Sequence, residues 1–348
     1  MRLTVLSVGF PFAPVTPDPV GGAERVLSML DRALVRAGHR SLVIAPEGSE
    51  VSGELIAITG TSEVNARTRA LRQAEVREKM AAVLSREQVD VVHLHGLDFD
   101  AYLPPPGPPL LVTLHLPLDW YASGALRPGR PHTALHPVSY SQIMQAGAGH
   151  ALSEPIENGV EPAPAHWRKG RFALALGRIC PEKGFEDALD AAARAGMPFL
   201  LAGTVFPYAE HRDYFSRSIA PRLGRGARWV GAVAGLSKQR LLARAACLLV
   251  PSKVPETSSL VAMEALAAGT PVIAYRIGAL PDIVEDGVTG FLVDTVDEMA
   301  QAMAAVGRID PEMCRRRAAE RFSADAMIAR YFRRYAELAG EGVGHAGS

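Results

Sequence analysis

Short runs of aliphatic and β-branched residues alternate along the chain with segments whose apolar positions recur every three or four residues. Continuous apolar runs of four to six residues suit strands buried on both faces, and their alternation with amphipathic segments predicts parallel sheets covered by helices. In the first half the strand candidates are residues 3–8, 41–45, 54–58, 89–95 and 110–115. Residues 22–37 place Val26, Met29, Leu30, Ala33, Leu34 and Ala37 on one helical face and stop before Gly38, a left-handed cap. A second series follows, with strands at 172–176, 198–202, 227–230, 247–250 and 271–274 and helical intervals at 187–195, 238–245 and 259–268. Between the series EPAPAHWRKG, residues 161–170, is rich in proline and charge and has no period, so a linker is expected there. The expected architecture is α/β: two Rossmann-like, doubly wound domains, residues 1–163 and 164–323, facing across a cleft. A C-terminal helix within 324–348 is expected to cross back to the first domain. Open sheets of this kind bind ligands outside the carboxyl ends of their strands.

Composition narrows the function classes. A chain of 348 residues fits about two domains. Apolar residues form 48% and charged ones 21%, enough for a core in each half. Lys+Arg and Asp+Glu are both 37, and a protein with no net charge is a poor candidate for bulk nucleic-acid binding. The three cysteines, Cys180, Cys247 and Cys314, form no CxxC pair and suit a reducing compartment. Pro11 and Pro14 interrupt the apolar run 3–15, which reads as a strand and loop rather than a leader. No apolar stretch reaches the ~18 residues of a spanning helix. The expectation is a cytoplasmic protein. The charged stretch 63–87 predicts a solvated helix face, with docking at the inner membrane face as the alternative.

The strongest chemical segment is PETSSLVAMEALAAGTPVIA, residues 255–274. Thr257 or Ser258 can cap a helix running to Gly269, whose free first-turn N–H groups suit phosphate. Glu264 is then expected two turns in, roughly 10 Å along the axis, with Glu256 ahead of the helix. Arg178 and Lys183, five residues apart after the second domain's first strand, supply two cations for a departing diphosphate; the alternative is a solvated loop with a Lys183–Glu186 pair. Gly21 and Gly22 open the first helix and let backbone N–H groups approach a ligand, although they fit neither GxGxxG nor GxxxxGK. His115 ends a strand at the expected cleft edge. His93 and His95 share a strand face, but no third ligand follows at a metal-site spacing. Asp98-Phe99-Asp100 reads as a loop. No metal site is expected, and Cys180 reads as a filler.

These residues carry a resemblance. Glu256 and Glu264, with seven residues between them, the G-T-P-V strand and GALPDIVEDGVTGFLVD (278–294) resemble the C-terminal half of the family 4 retaining glycosyltransferases of the GT-B fold. ALGRICPEKGFEDALDAA (175–192), GGAE (21–24), VVHLH (91–95), VTLH (112–115) and NGV (158–160) extend the likeness in order over nearly the whole chain. The resemblance implies transfer of a sugar from a nucleotide donor, a UDP-sugar ahead of a GDP-sugar, to a hydroxyl of a glycan, lipid-linked or small-molecule acceptor. It implies no cofactor, since the nucleotide sugar is a substrate. It assigns the donor diphosphate to Arg178 and Lys183 and a place beside the reacting sugar to His115. The donor set becomes Gly21, Gly22, Arg178, Lys183, Glu256, Ser258, Ser259, Leu260 and Glu264, and the catalytic set His115, Glu256, Arg178 and Lys183. Where the family often has Gly-Phe-Gly after the first glutamate, this chain has Thr257-Ser258-Ser259, which bears on the donor sugar. A nucleotide-sugar epimerase of similar fold and a non-catalytic two-domain binding protein are the alternatives.

Overall fold

A computed structural model describes residues 2–19, 21–61, 63–147, 151–163, 167–224 and 226–343. The chain forms two compact units, residues 1–157 with 326–348, and residues 158–325. The centre of the expected linker, residues 164–166, lies outside the described residues, as does the boundary placed at 163/164.

Unit 1 holds a six-stranded parallel sheet of β1 (Thr4–Val8), β2 (Arg40–Pro46), β3 (Glu54–Ile58), β4 (Val91–Leu94), β5 (Leu110–Leu114) and β6 (Thr133–Pro137) in the order β3-β2-β1-β4-β5-β6. All its pairings are parallel, with Val5 opposite Val91 and Leu6 opposite Val92 at the centre. The helices are α1 (Gly22–Arg36), α2 (Ala66–Arg86) and α3 (Tyr140–Ala146). Helix α1 buries Val26, Leu27, Met29, Leu30 and Leu34 and closes with Gly38 at φ +80°. Helix α2 begins in an Asn65–Thr68 capping box and buries only Val76 and Met80, which leaves its charges on the surface. The sequence pattern misses β6, because Thr133, His136 and Pro137 interrupt its apolar character; the last strand of the sheet, paired with β5 and on its other side only bridged at Leu135 to Leu152, tolerates them.

Unit 2 repeats the plan with β7 (Ala173–Leu176), β8 (Phe199–Ala202), β9 (Ala227–Trp229), β10 (Cys247–Val250), β11 (Val272–Tyr275) and β12 (Gly290–Val293), ordered β12-β11-β10-β7-β8-β9. Its helices are α4 (Phe185–Ala195), α5 (Ala209–Tyr214), α6 (Gly235–Arg244), α7 (Leu260–Ala267), α8 (Leu280–Ile283), α9 (Val296–Ala305) and α10 (Pro311–Arg321). One core layer gathers Leu174, Leu248, Val272 and Leu266; a second gathers Ala175, Phe199, Leu249, Ile273 and Met299. Strand β12 fits because residue 290 is glycine: a Cβ there would lie 1.8 Å from the Val272 carbonyl oxygen. Helix α10, PEMCRRRAAER, carries too little apolar residue to be read as amphipathic and buries only Cys314 and Ala318. None of the described helices is long and apolar enough to cross a membrane.

The last helix, α11 (Ala324–Val343), is joined to unit 1 from residue 326 onward. Met327, Tyr331, Tyr335 and Leu338 are buried at helical spacing, and the two tyrosines are fully covered. Their hydroxyls enter a buried network. His136 donates from Nδ1 to the Pro137 carbonyl (3.0 Å), so its Nε2 accepts from the Thr113 hydroxyl (2.8 Å). Thr113 Oγ1 then accepts from His93 Nε2 (2.7 Å) and from Tyr331 (3.2 Å), and His93 Nδ1 accepts from Tyr335 (2.8 Å). Both ring nitrogens of His93 are thus engaged, which leaves neither for a metal.

Burial holds the imidazoles of His93 and His95 well below the ordinary value, and that of His136 down to about 4. The folded state therefore favours the neutral rings, while the unfolded chain takes up protons below about pH 6.5. Stability should be complete above that pH and fall as pH drops from 6.5 toward 4, by up to about 1.4 kcal/mol per pH unit for each histidine. Urea unfolding of unit 1, followed through Trp120 with Trp167 and Trp229 replaced by Phe, checks this. A midpoint unchanged between pH 7.5 and 5.5 would mean that these rings titrate normally.

Candidate active site

In unit 2 the strand order reverses between β7 and β10, so the loops leaving their carboxyl ends run to opposite sides of the sheet and open a crevice. The loop after β7 carries Arg178, Cys180 and the 3₁₀ turn Pro181–Lys183; the loop after β10 carries Ser252, Lys253 and Glu256. The two are laced together. Lys253 N–H donates to the Glu182 carbonyl (2.8 Å), and a Cβ at Gly184 would fall 2.3 Å from the Pro251 oxygen. Lys183 Nζ reaches Glu256 Oε1 at 2.5 Å, and the same oxygen accepts from the Ser252 hydroxyl. The Glu256 side chain is only 8% exposed. The alternative Lys183–Glu186 pair does not form: Glu186 takes Lys253 and the Tyr214 hydroxyl instead. Arg178 is half-buried and makes no ion pair among the described residues. Burial pushes the Cys180 thiol up to about 11, which makes it a poor nucleophile.

The cap reads differently from expectation. The N-cap position of α7 is Ser259 and not Thr257 or Ser258; the helix starts at Leu260, and the Ser259 side chain makes no capping hydrogen bond. Ser259 sits at φ −129°, ψ 88°, so the 257–259 segment stays extended and the expected extra turn is never wound. Glu264 is consequently one turn into the helix, about 6 Å past Leu260, and not two. Its Oε1 pairs with Lys238 Nζ of α6 at 3.0 Å. The Ser258 Oγ atom is buried without a hydrogen-bond partner at the same helix start. First-turn N–H groups, the spare Ser258 hydroxyl and the positive helix end therefore converge where the sequence places a phosphate-binding turn.

Unit 1 contributes its own groups. His115 follows β5, is half-buried, and its Nε2 lies 3.0 Å from His95 Nδ1, the two rings stacked at 5.3 Å and 18°. Burial, with a smaller effect from His136, holds the His115 imidazole down to about 3, so the ring is neutral at physiological pH. Gly21 precedes α1, and the space a Cβ would take there is filled by Glu24 Oε2, 1.8 Å away. A carboxylate at this helix start favours sugar hydroxyls over a phosphate. Asp98 is committed to structure: it accepts from Gln73 Nε2 (2.7 Å) and the Tyr102 hydroxyl (3.3 Å) and has Arg69 at 3.9 Å.

Comparison with known proteins decides the family. Residues 20–146 match Glycosyltransferase Family 4, and residues 170–307 match Glycosyl transferases group 1. The chain belongs to glycosyltransferase family 4. It is 28% identical to the phosphatidyl-myo-inositol mannosyltransferase of Mycolicibacterium smegmatis over 95% of this chain and 94% of that protein. The crystal structure of AviGT4, a glycosyltransferase involved in avilamycin A biosynthesis, matches with a TM-score of 0.71 at 25% identity, covering 100% of this chain and 99% of that one. HepE from Anabaena, solved with UDP and glucose, matches at 0.74 and 18% identity over 96% and 100% of the two chains. The fold is GT-B, and the glycosyltransferase is a transferase enzyme.

Sequence reading of this glycosyltransferase missed Ser252, Lys238 and the structural part of Gly278. A signal for Lys238 was present: the chain has 32 Arg but only 5 Lys, and Lys183, Lys238 and Lys253 all hold carboxylates around the crevice. Gly278, at φ +57°, lies so close to the Glu256 backbone that a Cβ would sit 2.4 Å from its nitrogen and 2.5 Å from its oxygen. Ala279 N–H then donates to the Glu256 carbonyl at 2.8 Å. Gly278→Ala should therefore destabilise unit 2 by roughly 1–3 kcal/mol and displace Glu256 from Lys183. An unfolding free energy within about 0.5 kcal/mol of the parent's would show the contact to be looser than this.

Proposed function

We propose that this glycosyltransferase moves a sugar, with retention at the anomeric carbon, from a nucleoside diphosphate donor to an acceptor hydroxyl. The donor is a UDP-sugar, with a GDP-sugar as the second choice; the acceptor is a glycan, a lipid-linked sugar or a small molecule. The observation that carries the reading is the crevice of unit 2, where Arg178, Lys183, Glu256 and the start of α7 converge. Negative charge develops on a leaving diphosphate, and fixed cations with backbone N–H groups stabilise it without a metal ion in the reaction. Arg178 can turn its whole charge to the phosphates, while Lys183 exchanges Glu256 for them. Glu256, released, accepts from sugar hydroxyls. Glu264, steadied by Lys238, takes the ribose, and Ser258, Ser259 and Leu260 line the helix start. Unit 1 is assigned the acceptor, with neutral His115 orienting a sugar hydroxyl and Gly21 and Gly22 lending backbone donors.

Retention follows from front-face substitution, in which the departing phosphate helps take the acceptor proton, a route that needs no carboxylate nucleophile. The UDP and glucose in HepE support a UDP-sugar, and the lipid named in the Mycolicibacterium relative supports a lipid-linked acceptor. All three cysteines are free and buried, which suits the cytoplasm; a lipid acceptor would bring the enzyme to the inner membrane face.

Lys183→Ala should lower turnover by roughly 10²-fold or more with an unchanged melt, measured as nucleoside diphosphate release from a panel of UDP- and GDP-sugars. Turnover near that of the parent would remove the phosphate role.

The two glutamates should separate. Glu264→Gln should weaken UDP or GDP binding by about 10- to 100-fold, because a ribose grip is equal in ground and transition states. Glu256→Gln should chiefly lower kcat, because sugar contacts tighten as the ring flattens. Nucleotide titration beside single-turnover rates checks the pair, and the opposite pattern would reverse the donor's orientation.

A further inference from the structure

Outside the donor groups, unit 2 holds a second cluster. Cys180 on the loop after β7, Glu182 in the turn that follows it, and His211 on α5 bring a thiol, a carboxylate oxygen and a ring nitrogen within 4.8 Å of one another. Among the described residues it is the one such group of three. Two of its atoms are left without company: His211, 7% exposed, has Nδ1 buried with no hydrogen-bond partner, and Glu182 Oε2 is likewise buried and unpartnered. Buried polar atoms in proteins are as a rule satisfied, and here two unpartnered ones fall in a single three-residue cluster that also holds a thiol, which calls for an occupant. The Cys180 thiol makes a weak bond to the Arg178 carbonyl, 3.6 Å away, and lies within hydrogen-bonding reach of the Glu182 carboxylate.

We propose that Cys180, Glu182 and His211 bind one divalent metal ion of the zinc class. The donor set selects the ion: sulfur with nitrogen and one oxygen suits Zn²⁺, whereas Mg²⁺ and Ca²⁺ want oxygen throughout. Three protein ligands leave a fourth position for water, and the half-exposed Glu182 gives the ion a way in. Binding replaces the thiol proton, which leaves to solvent. The ion's two positive charges are then met by the thiolate and the carboxylate, and the cluster passes from one negative charge to none. Arg178, two residues from Cys180, loses a competing negative neighbour. Because Glu182 adjoins Lys183, the ion also ties α5 to the loop that carries both cations. The ion is structural and touches no reacting atom, so the inference stands or falls apart from the donor assignment.

The test is a titration of chelator-stripped full-length protein with Co²⁺, whose thiolate bond gives a charge-transfer band in the near ultraviolet. One Co²⁺ per chain with that band, displaced by Zn²⁺, is the expected result. Cys180→Ser should abolish the band, and His211→Ala should weaken Co²⁺ binding by more than the roughly 10–100-fold that loss of an outer-shell partner costs. Cys314→Ser, a thiol elsewhere in unit 2, should change neither. Circular dichroism confirms that each variant is folded, and elemental analysis of protein from zinc-supplemented cells gives a readout on the unmutated chain. Absence of zinc there together with no thiolate band, or a band that survives Cys180→Ser, would overturn the site.

Discussion

The reversal of strand order between β7 and β10 is the constraint on which the donor side depends. Neighbouring parallel strands whose crossovers run to opposite edges cannot send their loops over the same ground, so a gap opens at their carboxyl ends. The chain spans that gap with two loops and then cross-links them, through Lys253 to the Glu182 carbonyl and through Lys183 to Glu256. Two glycines make the lacing fit, Gly184 against the Pro251 carbonyl and Gly278 against the Glu256 backbone. Unit 1 has the same reversal between β1 and β4, and α1 with its Gly21 start follows β1 there.

The ion pairs of the crevice are paired storage of charge. Lys183 and Lys238 each face a carboxylate that is mostly covered, so removing either partner leaves a poorly solvated charge behind. Arg178 differs in having no such partner among the described residues, and it is the cation whose charge needs no exchange before an anion arrives. The neutral histidines of unit 1 follow the opposite rule: burial removes their charge, and for His93 and His136 hydroxyls and a backbone carbonyl satisfy both ring nitrogens.

Much of this was legible in the sequence, for physical reasons that differ from place to place. Buried strands such as LLVTL and CLLV announce themselves because both faces must be apolar, and α1 does so through its stripe. Strand β6 and helix α10 were not legible, since an edge strand and a helix resting on Cys314 and Ala318 need few apolar residues. The site residues could be named from motifs, but their partners could not. The Lys183–Glu256 contact joins residues 73 apart, and Lys238 reaches Glu264 from a different helix. The start of α7 was misplaced because serine and threonine suit both a cap and an extended approach, and the close packing of Gly278 under Glu256 shows how tightly the preceding loop is held.

The place of α11 also has a consequence for synthesis. Tyr331 and Tyr335, which satisfy His93 and Thr113 in the middle of unit 1, are encoded after all of residues 158–325. A ribosome adding 5–20 residues per second needs on the order of ten seconds or more to make that stretch. Throughout that interval the sheet of unit 1 exists with its buried imidazoles short of their partners, while unit 2 has all six of its strands once Val293 is made, before Tyr331 and Tyr335 exist. The carboxyl-terminal unit is thus able to fold first, reversing the usual order of vectorial folding, and the amino-terminal unit is the client that waits, exposing the groove for α11 to whatever holds nascent chains.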